Sequence, residues 1–271
     1  LVHPTTQISK KHRRHIAEHG VVYETAQKHL EAAKGKPIAS MFELPKNTEN
    51  KVKTEILFIE RCLNLLKPGG RMGIVLPEGV FNNPSLSYVR QFCEDRAFIL
   101  AVVGLPEETF NSSGTTVKAS LLFLRKFTDQ ERSKYSSLFQ SSLNETQNKY
   151  SSEIAKNKER LSLEIEKAKK SSDPERRRTL QKELSDYTKT IDIQILNETR
   201  ALLKKQFNYQ IFVYEADRVG ITSTGEVDIN ELFSAESGKQ NNTALNLYAK
   251  FKKNLNYFGI KISSRLFLNT R

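Results

Sequence analysis

The chain has 271 residues, 38% of them hydrophobic, with 43 Lys and Arg against 31 Asp and Glu and a formal net charge of +12. That length accommodates one large or two ordinary domains, and no apolar run approaches the ~20 residues that a membrane-spanning helix requires. The cation surplus biases the chain toward polyanions, because each Lys or Arg set against a phosphate releases condensed counterions, and nucleic acid is a favoured partner.

The two cysteines, Cys62 and Cys93, fall in separate helix-like segments, with neither the pairing of a disulfide framework nor the spacing of a metal site. They read as buried thiols in a reducing cytoplasm, and no metal ligand set is expected. The basic opening is not followed by a signal-peptide core, so a soluble, cytoplasmic protein is expected. Leu1 stands where a Met would start a gene product, and Phe267 to Arg271 ends without a polar tail; both suggest a piece of a longer protein.

Residues 1–53 form a polar segment with the basic cluster Lys10-Lys11-His12-Arg13-Arg14-His15 and an expected helix from Tyr23 to Ala33 ending at Gly35. The cluster is either a phosphate contact or a solvated helix face. From Thr54 the pattern alternates helix and strand. Ile56, Ile59, Leu63 and Leu66 recur at helical spacing, and Pro68-Gly69-Gly70 stops the helix. Met72 to Leu76 predicts a strand covered on both faces, closed by Pro77-Glu78-Gly79. A second helix follows, with Asn83 as N-cap, Pro84 in the first helical position, and Leu86, Val89, Phe92 and Cys93 on its buried side.

Phe98 to Val103 reads as the next strand, Leu105 to Thr116 as a loop, and Val117 to Leu124 as a third strand running into Arg125-Lys126. The last two strands lack an intervening helix and are expected to pair antiparallel. From 128 to 206 the chain is charge-rich and free of Gly. Leu143, Tyr150, Ile154, Leu161 and Ile165 step by sevens and fours, as do Leu180, Leu184, Tyr187 and Ile191. Ser171-Ser172-Asp173-Pro174 supplies the break and a fresh N-cap. This predicts two antiparallel helices, a coiled-coil-like arm, as against core helices packed back on the sheet. Residues 207–271 return to mixed character: a strand from Tyr209 to Tyr214, turns at Val219-Gly220 and Thr224-Gly225, and helices over Asn230 to Phe233 and Ala244 to Phe251.

The fold class expected is therefore α/β: the closing half of a doubly wound sheet over 54–127, ending in an antiparallel hairpin, with the helical arm over 128–206 and a mixed segment over 207–271.

Two blocks carry a family resemblance. One runs from Glu55-Ile56-Leu57-Phe58 through Leu66-Lys67-Pro68-Gly69-Gly70-Arg71-Met72 and Val75-Leu76-Pro77-Glu78-Gly79 to Asn83-Pro84-Ser85. The other joins Leu105-Pro106, Glu108-Thr109-Phe110, Ser113-Gly114-Thr115 and Lys118-Ala119-Ser120. Together they resemble the methylation subunits of type I restriction-modification systems, with a weaker echo in Phe212-Val213, Glu215-Ala216 and Val219-Gly220-Ile221. The resemblance implies a Rossmann-like class I methyltransferase sheet and transfer of a methyl group from S-adenosylmethionine to adenine N6 in double-stranded DNA, the target base being flipped into a pocket. It also implies specificity and restriction subunits as partners.

In that family an Asn-Pro-Pro-aromatic tetrapeptide accepts the amine hydrogens and stacks on the base. Neither it nor the glycine-rich cofactor loop occurs in this chain, so no catalytic or cofactor-binding residue is assigned. Phe81-Asn82-Asn83-Pro84-Ser85 is a look-alike that follows the wrong strand and reads as a helix cap.

The resemblance places Phe110 to pack against a flipped adenine, as against a Phe that plugs the sheet edge. Pro77, Glu78 and Gly79 follow a strand at its carboxyl end, where open α/β sheets bind ligands; Glu78 either lines a pocket or caps the next turn. Ser113, Gly114, Thr115 and Lys118 are candidate contacts to the nucleotide's phosphate, although Lys118 also fits a solvated strand start. On the arm, Lys169-Lys170, Arg176-Arg177-Arg178 and Lys204-Lys205 could follow a DNA backbone, but interspersed acids favour a protein subunit as the arm's partner. The alternatives to an enzyme part are a catalytically silent DNA-binding or assembly scaffold derived from a methyltransferase and, less in keeping with these blocks, a small-molecule methyltransferase.

Overall fold

In the computed structural model of the chain the described residues are 18, 20, 25, 27–29, 31–45, 52–233 and 242–253. The basic cluster at 10–15 and residues 260–271 lie outside them, and the helix expected from Tyr23 to Ala33 lies only partly within them. The chain forms two units, one made of 1–127 and 210–271 and the other of 128–209.

The first unit is built on α1 (Thr54–Leu65). Ile56, Ile59 and Leu63 are buried along the predicted stripe. Gly69 adopts a φ of 75°, which favours glycine, and the Gly70 N–H closes the turn onto the Lys67 carbonyl at 2.8 Å. Lys126 Nζ donates to the Leu63 and Leu66 carbonyls, each at 2.8 Å, supplying partners to helix-terminal oxygens that the helix itself leaves unpaired.

Glu60 shares the apolar stripe and is 2% exposed. Its carboxylate accepts the backbone N–H groups of Glu43 (3.0 Å) and Leu44 (2.7 Å), which ties the segment before the helix to the core. A buried carboxylate is tolerated because those two donors stand in for water.

Strand β1 (Arg71–Pro77) leads to a single helical turn, α2 (Gly79–Asn82), then a 3-10 turn (Pro84–Leu86) and α3 (Ser87–Glu94). Asn83 caps as expected, its side-chain oxygen accepting from the Ser85 N–H and Ser85 Oγ at 2.9 Å each. Leu86, Val89, Phe92 and Cys93 are all buried. Burial in the first place, then the charges of Glu94 and Asp95, push the Cys93 thiol up to about 12, against an opposing pull from Arg96. Because the thiolate is the nucleophile, Cys93 should stay silent to a disulfide reagent at pH 8 in the folded chain while partly exposed Cys62 reacts, and denaturant should release the second equivalent. Rapid native labelling of both thiols would contradict the packing of α3.

Strands β2 (Ala97–Gly104) and β3 (Ala119–Lys126) follow, with a 3-10 helix (Glu107–Ser113) between them. The third strand begins at Ala119 rather than Val117; the Val117 N–H turns to Thr115 Oγ1 at 3.4 Å and its side chain is exposed. The expected antiparallel pairing of β2 with β3 is present, with an irregularity between Ile99 and Ala101. β3 is flanked by β1 on its other side, also antiparallel.

Beyond the arm, β4 (Phe212–Glu215) returns to pair parallel with β2, and the order becomes β1-β3-β2-β4. Three strands thus run one way and β3 against them. One face carries Leu76, Leu122, Leu124, Ile99 and Val102, all buried. On the other, α6 (Ala244–Lys253) brings Phe251, Leu247 and Tyr248 onto Ala101, Phe212 and Tyr214.

β1 departs from expectation. Read as covered on both faces, it is an edge strand whose Val75 is 50% exposed beside Phe123 at 38%. The Phe123 ring lies across Gly73, where a Cβ would come within 2.9 Å of it. Among the described residues nothing covers these side chains, so the apolar run is a half-open surface.

The segment after β4 also differs from its prediction. Val219–Ile221, read as a turn at Val219-Gly220, is strand β5, which pairs with β6 (Val227–Asn230) in a small hairpin, and the helix expected over Asn230 to Phe233 is not formed. Gly220, at φ 89°, sits where the register shifts between Val219 and Ile221, a bulge that local sequence mimics as a turn. Asn230 Oδ1 accepts from the Leu232 N–H (2.9 Å) and the Phe233 N–H (3.4 Å), an Asx turn that ends the strand instead of starting a helix.

The second unit is the arm. α4 (Asp129–Lys170) and α5 (Pro174–Gln206) form a hairpin of long helices. Thr128 and Glu131 make a reciprocal capping box at its start. The predicted break holds: Asp173 accepts from the Arg176 N–H at 3.0 Å, and Pro174 occupies the first turn. Leu161, Ala168 and Leu180 are buried with Ile165 and Leu184 against them, and cross-helix bonds join Tyr150 to Glu198 (2.7 Å) and Asn157 to Tyr187 (3.1 Å).

Candidate functional site

The three parallel strands end at one edge of the sheet, and β3 begins there. Leu76 faces Ser120, Ser120 faces Gly104, and Gly104 faces Glu215, a row across all four strands. Gly104 leaves a trough in that row. A Cβ there would lie 2.1 Å from Glu215 Oε2, so the Glu215 carboxylate occupies the space a side chain on β2 would fill.

Two polar contacts complete the row. Ser120 Oγ donates to Glu78 Oε2 at 2.8 Å, and Lys118 Nζ donates to Glu215 Oε1 at 2.6 Å. The hydrogen bond from Lys118 to Glu215 raises the proton affinity of the ammonium; burial opposes this, and the charges of Glu215, Glu78 and Glu107 add to the rise. Lys118 therefore stays cationic, with three carboxylates as its electrostatic neighbours. In a chain that is basic as a whole, this edge is locally acidic, suited to accepting hydrogen bonds from a donor-rich group.

Behind the row stands Arg90, 5% exposed, whose Nη1 donates to the carbonyls of Val80 (2.9 Å) and Asn83 (3.0 Å). Burial holds its guanidinium below the ordinary arginine range, partly offset by Glu94. It braces the turn that follows β1, and Phe81 in the same turn is 1% exposed.

Of the residues singled out in the sequence, Pro77, Glu78 and Gly79 lie at this edge. The Glu78 N–H bonds the Lys118 carbonyl at 2.9 Å, and the Glu78 side chain makes no capping bond to the helix it precedes. Phe110 is half-buried in the 3-10 helix after β2. Its carbonyl accepts the Thr115 N–H at 3.3 Å, while Gly114 closes the helix with φ 80°. Ser113, Gly114 and Thr115 are exposed on this loop. Lys118 joins the acidic row rather than standing alone at the loop root. The look-alike peptide is a structural turn: Asn83 is spent on capping and Phe81 is inside.

Glu60, Arg90, Gly104 and Glu215 were not singled out. Glu60 and Arg90 had a signal, since each is a charged residue on the apolar stripe of its helix, Glu60 beside Ile56 and Leu63 and Arg90 beside Leu86 and Cys93. Glu215 falls within the weaker family echo, but no local pattern gives it a place at the site, because that place depends on pairing across the arm. Among the described residues no group of three or more His, Cys, Asp or Glu is placed to hold a metal ion, and no helix is long and apolar enough to cross a membrane.

A mixed sheet of this order, with a helical hairpin inserted before its last parallel strand, is the closing part of a class I methyltransferase-like α/β fold. The chain belongs to the N-6 DNA Methylase family, whose model matches residues 27–211. No curated protein matches it. Among solved structures it is similar to a chain from a study of complex assembly and conformational transition of the type I R-M system, with 30% identity, 34% of this chain and 18% of that chain covered, and a TM-score of 0.29. It is also similar to a protein described as a class I S-adenosylmethionine-dependent methyltransferase from Listeria monocytogenes, with 28% identity, 34% and 27% coverage, and a TM-score of 0.30. The chain thus spans 18% and 27% of the length of these two relatives.

Proposed function

We propose that this chain is the closing part of a DNA adenine-N6 methyltransferase of a type I restriction-modification system, dependent on S-adenosylmethionine and inactive by itself. The observation that carries the reading is the half-open sheet: within a chain of the N-6 DNA Methylase family, the described residues leave the β1 edge and the Val75 and Phe123 face uncovered beside a polar row at the strand ends. An uncovered apolar edge strand is a liability that proteins cover with further structure, and the rest of the methyltransferase domain is the covering this fold calls for.

The described residues do not fit the cofactor. β1 is followed by Pro77-Glu78-Gly79 and β2 by Leu105-Pro106, neither a glycine-rich loop opening onto a long helix. S-adenosylmethionine is assigned to residues outside this chain, and no step of methyl transfer is drawn through the residues described above. Their part is to receive the base. Phe110 offers a ring to the flipped adenine, Pro77, Glu78 and Gly79 line the strand end, and the Ser113, Gly114 and Thr115 loop approaches the nucleotide's backbone. A separate specificity subunit reads the target sequence, with a restriction subunit as a further partner in the cytoplasm.

Calorimetry tests the division of labour. The 271-residue chain is expected to give no heat with S-adenosylmethionine and to transfer no tritiated methyl group to duplex DNA. The same chain extended by its preceding coding sequence and supplied with its specificity subunit should label adenine N6. Micromolar cofactor binding by the 271 residues would overturn the placement of the cofactor, and an extended protein that modifies no adenine would overturn the activity.

A further inference from the structure

We infer that the tip of the helical arm is a sequence-independent docking surface for the phosphate backbone of duplex DNA, carried chiefly by Arg176, Arg177 and Arg178 with Lys169, Lys170 and Lys182. The inference rests on the DNA-directed reading above for its choice of polyanion; the surface itself is read from the arm.

Between residues 164 and 183 the sequence places seven cations against five acids, an excess too small to mean anything if the acids were free to neutralise their neighbours. The structure engages two of the five with a cation outside the tip: Glu164 and Glu183 both bind Arg160, at 3.1 and 3.3 Å. Asp173 caps α5 through the Arg176 backbone N–H and keeps its charge, so Glu166, Asp173 and Glu175 are left among the seven cations, all of which are exposed and none of which forms an ion pair among the described residues. Along the stem the charge is settled internally, as where Lys149 pairs with Glu198. The arm's cations are thus most concentrated at its tip.

The position of the arginines argues against mere solvation. Lys167, Lys169 and Lys170 end α4, where cations favour the helix dipole and need no further reason. Arg176, Arg177 and Arg178 begin α5, where the dipole opposes them and acids would be preferred. The helix tolerates that cost at the first turn because Asp173 and Pro174 already settle its end. The residue chosen three times is arginine, whose planar fork matches phosphate oxygens better than an ammonium does. Arg178 and Lys182, four residues apart, share one face pointing away from the partner helix. At about 1.5 Å per residue, α5 sets this tip roughly 50 Å from the arm's base, a reach beyond one turn of duplex. Two of the interspersed acids at the tip, Glu164 and Glu183, are engaged by Arg160, and the stem remains available to a protein subunit as partner.

Fluorescence anisotropy of a labelled duplex of arbitrary sequence, titrated with the full chain at several salt concentrations, tests this. Replacing Arg176, Arg177 and Arg178 with Gln is expected to weaken binding roughly ten- to a hundredfold at 100 mM salt and to flatten the slope of log affinity against log salt by about 2 to 3, near 0.9 for each phosphate no longer neutralised. Lys204→Gln with Lys205→Gln, at the other end of the same helix, should leave the slope unchanged, and R176K/R177K/R178K should retain most of it. Circular dichroism serves as the folding control, since removing cations from the first turn should not weaken the helix. Unchanged slope and affinity in the Gln variant, with the wild-type chain still bound, would overturn the tip assignment and leave the DNA-directed reading standing. A wild-type chain that binds no duplex even at 50 mM salt would overturn both. Competition by polyglutamate as effective per charge as that by DNA would assign the tip to an acidic protein partner instead.

Discussion

Phe81→Ala is expected to lower the stability of the sheet unit by about 3–5 kcal/mol, the range for emptying a fully buried phenylalanine site. The ring is 1% exposed within the four-residue turn α2, and Arg90 binds the carbonyls of Val80 within that turn and of Asn83 just after it. A cavity there loosens the wedge that sets the direction in which the chain leaves β1. Urea unfolding followed by circular dichroism measures the loss, and the contact from Ser120 to Glu78 at the same strand end should weaken with it. A loss below about 1 kcal/mol, outside the buried-Phe range, would mean that the ring is not a wedge. It would also reopen the idea that the peptide from Phe81 to Ser85 contacts a base.

Phe110→Ala in the extended methyltransferase is expected to reduce kcat/KM on its DNA target by about 10- to 100-fold, because a base stacked on an aromatic side chain gains roughly 1–3 kcal/mol. Phe110 is half-buried in an exposed loop whose roots are held by the Leu105 N–H on the Ala119 carbonyl (3.1 Å) and the Glu78 N–H on the Lys118 carbonyl (2.9 Å). A firmly rooted loop can present a ring without spending it on the core. Phe110→Leu separates the two roles. It keeps most of the apolar volume, so a ring that only plugs the sheet edge tolerates it, whereas a stacking ring loses its partner. A duplex with 2-aminopurine at the target position adds a direct readout: the fluorescence rise on flipping should shrink in both variants. If Phe110→Leu retains full activity and the full flipping signal, Phe110 belongs to the packing of the edge.

Helix caps, apolar stripes and the first three strands, all set by short-range chemistry, were already legible in the order of the residues. Asn83 before Pro84 and Asp173 before Pro174 start helical segments because a side-chain oxygen meets a nearby N–H, and both do so in the structure. The stripe Ile56, Ile59, Leu63, the sevens and fours of the arm, and the three strands up to Lys126 follow from periodicity that any residue pair a turn apart can express. The same locality explains the misreadings at Val219 to Gly220 and Asn230 to Phe233, where a bulge and an Asx turn carry the composition of a turn and a helix start.

Which strand lies beside which was settled only by the folded chain. β4 pairs with β2 although the whole arm separates them, so nothing in the local pattern could place the Glu215 carboxylate in the trough over Gly104 or bring it to Lys118. The resemblance blocks marked the right strand ends but could not say that Lys118 is already paired, or that Glu164 and Glu183 both converge on Arg160. Pairing of this kind is a property of distance in space, and it exists only once the backbone has brought remote residues into hydrogen-bonding range.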